Sequence, residues 1–382
     1  MKRTLFLTIL LAFYATAVAA EPEKRPTKIW NRTGPLGETP KHVTEAFPFS
    51  DQENEGGWVK FEPMSDEFDG KQLDLKKWAL GIEGWKGRQP ALFSEKNVTV
   101  SDGKLHLTMR KEKLPPEDEK QGYHDYTSAA LHSKARSSYG CYEVKAKPMN
   151  SGGSSSFWFH DEGKSDWRTE IDVFEIGGKA KGFEHKLNIT VHVWQTPQEK
   201  KHWQVGGAWI APWRLADDYH VYGFEWGKEE LKFYVDGVVV RTVENTHWHQ
   251  PLFLTFDSET MPDWMGMPKD EDLPSTFSVE YVRAWKRKAS EPKPQARIIS
   301  HLESRDRTAA YLALWTLRKN GFDVSDIQFD KPYAEAQPKL RRLADTLRQL
   351  PASKLTELDE SLKYHTRIYS PIWSSGGQGW EQ

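Results

Sequence analysis

The chain has 382 residues, a formal net charge of −2 and one cysteine, Cys141. This length holds one large domain and an appendage. The near-zero charge removes the electrostatic case for a nucleic-acid partner, and a lone cysteine excludes an intrachain disulfide. Aromatic residues make up 13% of the chain and include 17 Trp. A buried indole needs a partner for its N–H, so indoles beyond the needs of a core can line a groove and stack on sugars; composition alone leaves core and groove open.

The N-terminus reads MKRTLFLTILLAFYATAVAA. Lys2 and Arg3 form a basic start, Leu5 to Ala15 an apolar run, and Ala17-Val18-Ala19 a small-residue cleavage site. Residues 1–20 are therefore expected to be a cleaved signal peptide, sending the protein to the periplasm or outside the cell. The run is shorter than the roughly 20 residues of a membrane span. No later segment is apolar enough to span one, and no cysteine at the cleavage site supports a lipid anchor. Residues 21–57, rich in Pro, Gly and charge, read as an irregular leader.

From residue 58 to 288, short β-type runs alternate with turns. NVTVSDGKLHLTMR (97–110) and LKFYVDGVVVRTV (231–243) each hold Asp-Gly between alternating apolar residues, a strong hairpin signal. GCYEVKAKP (140–148), SSSFWFH (154–160), YHVYGFEW (219–226), PLFLTF (251–256) and FSVEYVRAW (277–285) add further strands. Many short strands with hardly a helix between them imply an all-β antiparallel sandwich or barrel. ASEPKPQA (289–296) reads as a linker. Beyond it, residues 297–382 read as a helical extension of unassigned role. Leu302 to Leu317 has helical spacing and Gly321 as its C-cap. Leu340, Leu343, Leu347 and Leu350 mark a second helix, and ASKLTELDESLKYH (352–365) a third.

EIDVFE, residues 170–175, sets three carboxylates among strand-forming residues. Glu170 and Asp172 share a face by alternation, with Ile171 and Val173 turned to the layer behind. Glu175 breaks the parity. It rejoins the acidic face only if one extra residue is bulged out, which also takes Phe174 off that face. Aligned acids raise one another's pKa. Glycoside cleavage uses such a pair, one ionised as nucleophile and one protonated as acid, about 5–5.5 Å apart in retaining enzymes. From these residues alone a calcium site and a solvated acidic stripe stay open beside catalysis.

The stretch resembles the catalytic signature of glycoside hydrolase family sixteen, in its bulged E-x-D-x-x-E form. SDEFDGKQLDLKKW (65–78), YTSAALHSKARSSYGCYEVKAKP (126–148), SSSFWF (154–159), YHVYGFEW (219–226), LKFYVDG (231–237) and VEYVRAW (279–285) fall in that family's order and spacing. The resemblance covers residues 58–288. It implies a β-jelly-roll of two curved antiparallel sheets with a concave sugar cleft, and a retaining mechanism. Glu170 then stands as nucleophile, Glu175 as general acid/base and Asp172 as the assisting carboxylate. No cofactor is needed for that chemistry. The family's structural cation site implies Glu280 as a metal ligand, where an Asp is usual, and with it a structural calcium.

GWKGRQPALFSEKNVTV (84–100) and FDSETMPDWMGMP (256–268) resemble the branch that cuts red-algal galactans: agarases, porphyranases and carrageenases. The substrate expected is a galactan polysaccharide, with no membrane partner and a monomeric enzyme. Trp85 and Arg88, in a Gly-rich loop, would stack on galactose and donate to hydroxyl or sulfate oxygens. Trp158 would floor the cleft, Trp167 and Arg168 would reach a negative subsite, and Glu259 would accept from a sugar hydroxyl. His192 and Trp194 share one face of their strand and would look into the cleft. Lys179, Lys181, Lys186, Lys200, Lys201 and His202 tilt the expectation towards a sulfated chain. A binding-only galactan lectin, a transglycosylase and a β-glucanase are the alternatives.

Overall fold

In the strands Ser154–His160 and Leu252–Glu259, alternate residues bury apolar side chains: Phe157 and Phe159, Leu254 and Phe256. Their neighbours Ser156, Trp158, Asp257 and Glu259 take the opposite face. Period two therefore divides each strand into a core side and a cleft side. The computed structural model describes residues 24–287, 294–304, 307–327 and 333–373. The expected signal peptide and most of the linker lie outside these residues. The chain divides into two units, Met1–Arg287 and Lys288–Gln382.

The first unit is an all-β sandwich. Its cleft-bearing sheet runs in the order Trp203–Ile210, Lys186–Gln195, Arg168–Ile176, Ser154–His160, Leu252–Glu259, Tyr126–Ser137 and Trp78–Leu80, antiparallel throughout. The second sheet runs Ile29–Asn31, Val238–Glu244, Glu230–Val235, His220–Trp226, Gly140–Lys147, Ser275–Arg287, Lys104–Lys111 and Val98–Ser101. Between them lies one apolar core that includes Trp78, Phe157, Ile171, Phe174, Tyr222, Phe224, Phe256 and Phe277. Both Asp-Gly hairpins form as read. Asp102 and Gly103 have φ of 52° and 68°, Asp236 and Gly237 of 47° and 77°. Positive φ at both central residues matches the twist of the flanking strands.

The leader differs from its expectation. Residues Ile29–Asn31 form a strand against Arg241–Val243. Trp209 Nε1 donates to Gly34 O at 2.9 Å, and Trp285 Nε1 to Ala46 O at 2.8 Å. The Phe49 N–H donates to the buried Glu143 carboxylate. The segment lacks periodicity because its backbone, rather than an apolar face, makes these contacts.

The second unit holds the helices Pro294–Glu303, Arg307–Lys319, Tyr333–Arg348 and Ala352–Trp373. The single helix expected over Leu302–Leu317 is thus two, and the first ends ahead of Ser304, a residue type that favours caps over helix interiors. Gly321, at φ 82°, ends the second helix, and the Phe322 N–H donates to Leu317 O. Ile298, Leu302, Ala313, Leu317, Leu340, Ala344, Leu358 and Leu362 make a separate core. Among the described residues, no helix is long and apolar enough to cross a membrane.

Candidate active site

Pairing on both sides of the signature strand slips between Asp172 and Glu175, so the bulge is present. Phe174 turns into the core against Tyr222, with ring centroids 4.6 Å apart. Glu170, Asp172 and Glu175 consequently line one cleft of about 510 Å³. Its walls also carry Trp85, Arg88, Trp158, Arg168, Trp194 and Glu259.

Each acid is held differently. Glu170 Oε2 accepts the indole N–H of Trp194 at 3.0 Å, and Oε1 lies 3.8 Å from His192 Nε2. Asp172 Oδ2 is 3.0 Å from the same imidazole nitrogen. Burial, reinforced by the Asp172 charge, pushes Glu170 up to about 8, against the pull of His192 and Trp194. Burial and the charges of Asp172 and Glu259 hold Glu175 well above the usual carboxylate range. Burial pulls His192 down, but Asp172 and Glu170 outweigh it and keep the imidazole above its ordinary value. The cluster thus retains protons that isolated carboxyls would release near neutrality, as acids sharing a site do.

The flanking walls are braced by the strands Ser154–His160 and Leu252–Glu259, side by side in the cleft sheet. Trp158 Nε1 donates to Asp257 Oδ2 at 2.9 Å, and Trp85 stands edge-on to Trp158 with centroids 6.1 Å apart. The two indoles form a corner of flat apolar surface. Arg88 Nε donates to Glu259 Oε2 at 2.9 Å. Gly87 carries this loop through φ 111°, and a Cβ there would stand 2.7 Å from Ala91 O, so only glycine fits without strain. Arg168 Nε lies 3.9 Å from Asp161 Oδ1, and both residues line the cleft.

Several expectations are not met. Trp167 donates its Nε1–H to His247 O at 3.2 Å and does not line the cleft. His192 shares the acids' face on the neighbouring strand, opposite Glu170, and is engaged with Asp172 at 3.0 Å rather than lining the cleft. Lys179 pairs with Asp272, Lys200 with Asp166, and Lys186 lies over the Phe183 ring, so these cations do not converge on the cleft. Eight carboxyl residues and two arginines line it instead. Glu280 does not fit a calcium ligand. Lys145 Nζ lies 2.7 Å and Lys104 Nζ 3.9 Å from its carboxylate, where a cation would have to bind.

Among the described residues, the one set of His, Cys, Asp and Glu with ligand atoms mutually within 4.8 Å is Glu170, Asp172 and His192. Those atoms are engaged with one another and with Trp194, a row of hydrogen-bonded acids rather than a cation cage.

Three residues escaped the sequence reading. Trp248, fully buried, donates Nε1 to the backbone oxygens of both Glu170 and His192, at 2.9 and 3.1 Å. It fastens the two strands that carry the acids and the imidazole. Asp257 holds Trp158. His202, noted only as a basic residue, stacks on Trp194 with centroids 4.1 Å apart. The one available signal was alternation: Asp257 shares a strand face with Glu259.

A sandwich with an open cleft, a row of acids and an indole corner defines a glycosidase. A family model described as "Beta-porphyranase A-D, GH16 domain" matches residues 58–287, and the chain belongs to glycoside hydrolase family sixteen. It is 32% identical over 259 residues to "Beta-porphyranase B" of Zobellia galactanivorans, covering 60% of this chain and 84% of that protein. It is 28% identical over 273 residues to "Kappa-carrageenase" of Pseudoalteromonas carrageenovora, covering 60% and 64%. The solved structure of porphyranase B from Zobellia galactanivorans superposes with a TM-score of 0.53 at 28% identity, over 60% of this chain and 92% of that one. The protein is a hydrolase of O-glycosyl bonds, related to porphyranases, carrageenases and agarases.

Proposed function

We propose that the protein is a secreted, endo-acting, retaining hydrolase of β-1,4 galactosidic bonds in a red-algal galactan. The observation that carries the chemistry is the bulged strand, which brings Glu170, Asp172 and Glu175 to one cleft. Glu170 attacks the anomeric carbon as carboxylate while Glu175 gives its proton to the departing oxygen. A covalent galactosyl ester forms on Glu170 and the sugar chain on the other side leaves. Glu175, now ionised, takes a proton from water, and the hydroxyl displaces Glu170 with a second inversion. The raised proton affinity of Glu175 suits an acid that must still carry its proton near neutrality. Glu170 begins shared in a proton-rich cluster. Trp194 and His192 both favour its charged form.

The galactan reading is supported by the family model and by the Trp85–Trp158 corner, onto which a galactose face can stack. Sulfate recognition, if the polymer carries sulfate, falls to Arg88 and Arg168, because these are the cations that line the cleft. A sulfate group should stand clear of the acid row, where eight carboxyls would repel it. The test is a panel of purified porphyran, agarose, κ-carrageenan, furcellaran, laminarin and lichenan, each assayed for new reducing ends and product size. Cleavage of laminarin or lichenan alone would overturn the galactan reading.

A further inference from the structure

His192 does not end the hydrogen-bonded row that starts at Asp172. Its Nε2 faces Asp172 Oδ2 at 3.0 Å, and its Nδ1 lies 3.0 Å from Nε2 of His202. The two imidazoles are nearly coplanar, at 11°, so they meet edge to edge as a hydrogen bond requires. His202 also lies flat against Trp194, whose indole N–H donates to Glu170. One exposed residue thus touches both supports of the acid row. Its loop is fastened from outside: Arg25 pairs with Glu199 at 2.7 Å and lies over the Trp203 ring at 4.1 Å, on either side of His202.

We propose that His202 is a positioning residue for catalysis, accepting the Nδ1–H of His192 so that the charged imidazolium stays turned towards Asp172 and Glu170. An imidazolium has two N–H groups. Asp172 takes one and His202 the other, and with both accepted the positive charge is stabilised. Without His202 the second donor loses its protein acceptor, and His192 gives up its charge at lower pH. Glu170, whose carboxylate His192 favours, then ionises at higher pH. The charged groups facing His192 are Asp172 and Glu170 on the neighbouring strand. His202 itself is held below the ordinary imidazole value, by burial and by His192, which suits an acceptor. The neighbouring Lys200 turns away to Asp166. The consequence for rate rests on Glu170 being the nucleophile; the effect on His192 does not.

Two variants separate the acceptor from the stack. His202→Phe keeps an aromatic ring against Trp194 but cannot accept a hydrogen bond. His202→Gln offers an amide oxygen in place of Nε2 and gives up the ring. The full chain, carrying isotope-labelled histidine, is titrated by NMR, and the ring-nitrogen shifts of His192 are followed. In His202→Phe the proton affinity of His192 should fall at least about threefold, and His202→Gln should recover most of that loss. On porphyran, the acid limb of kcat/KM should move to higher pH in His202→Phe, with KM within about twofold of wild type. Should His202→Phe fail to fold, His202→Ala carries the same expectation. An unchanged His192 titration in the Phe or Ala variant, or equal shifts in Phe and Gln variants, would overturn the assignment. If the wild type leaves porphyran intact, that counts against the porphyran form of the galactan reading, and the titration still decides the role of His202.

Discussion

Arg88 and Glu259, 171 residues apart in sequence, meet at 2.9 Å and tie the Gly-rich loop to the last strand of the cleft wall. The arrangement is asymmetric. The arginine side chain is about half exposed, whereas Glu259 is buried. Burial pushes Glu259 up to about 7, and Arg88 restrains that rise.

Arg88→Ala should therefore destabilise the protein by about 1–2 kcal/mol, discounted from the cost of breaking a fully buried pair because Arg88 is partly solvated. Glu259 then takes a proton rather than remain charged. Thermal unfolding at pH 8 should show the loss, with a smaller loss at pH 5, where Glu259 is neutral. Arg88→Lys should recover only part, since a flexible ammonium does not reproduce the directed Nε–H donor of the planar guanidinium. An unaltered midpoint at both pH values would show that the pair contributes nothing to stability.

Glu170→Gln should lower kcat by at least about three orders of magnitude with little change in folding. The amide keeps the size of the side chain and an oxygen for the Trp194 N–H. Galactan affinity, read by gel retardation, should stay within a few-fold. Activity within tenfold of wild type would remove Glu170 from the nucleophile's role.

The first product should carry the β anomer. The two outer acids sit on one strand, a single bulge apart, leaving no room for the attacking water that an inverting enzyme places between them. Proton NMR during the first minutes distinguishes the two outcomes, and initial α product would mean inversion.

Glu143 offers a test of stability against pH. It is fully buried, and burial pushes it up to about 8 despite the donated Phe49 N–H. A carboxyl with a raised native pKa binds its proton more tightly folded than unfolded. Stability is then lost as pH rises from the unfolded value, about 4.3, to about 8. Glu143→Gln keeps an oxygen for Phe49 and should be neutral at pH 4 but stabilising by about 1–3 kcal/mol at pH 8.5. Equal effects at both pH values would mean that Glu143 has no raised pKa.

Removing residues 288–382 should leave a folded enzyme with kcat on soluble polymer within about twofold, because the sandwich has its own core and the acids all lie within it. A truncated protein that folds yet is inactive would assign the helices a part in catalysis.

Much of the site was legible because it is written at short range. The bulge follows from parity within six residues, and the hairpins follow from Asp-Gly between alternating strands. What escaped depends on pairing across distance. Trp248 lies in the polar stretch ENTHWHQ and acquires its role only because two other strands bring their carbonyls to it. The lysines after the signature look like a basic cluster along the chain, but folding sends Lys179 and Lys200 to separate acids and lays Lys186 over the Phe183 ring. Trp167 precedes the acids in sequence, yet its indole turns to the loop at His247. His202 was counted as a charge, whereas its contacts are those of a neutral acceptor and a stacked ring.

The strand Ile29–Asn31 has a further consequence for handling the protein. It covers the outer edge of Val238–Glu244, which would otherwise present a row of unpaired backbone donors and acceptors. A chain trimmed at residue 58, where the family match begins, would bare that edge and also strip the partners of Trp209, Trp285 and Glu143. Edge-to-edge association between copies is then the expected fate, visible as precipitation at high concentration even if the cleft is intact. By covering that edge the residues ahead of the family match should guard solubility, and shortening the enzyme is expected to be safer from its C-terminal end.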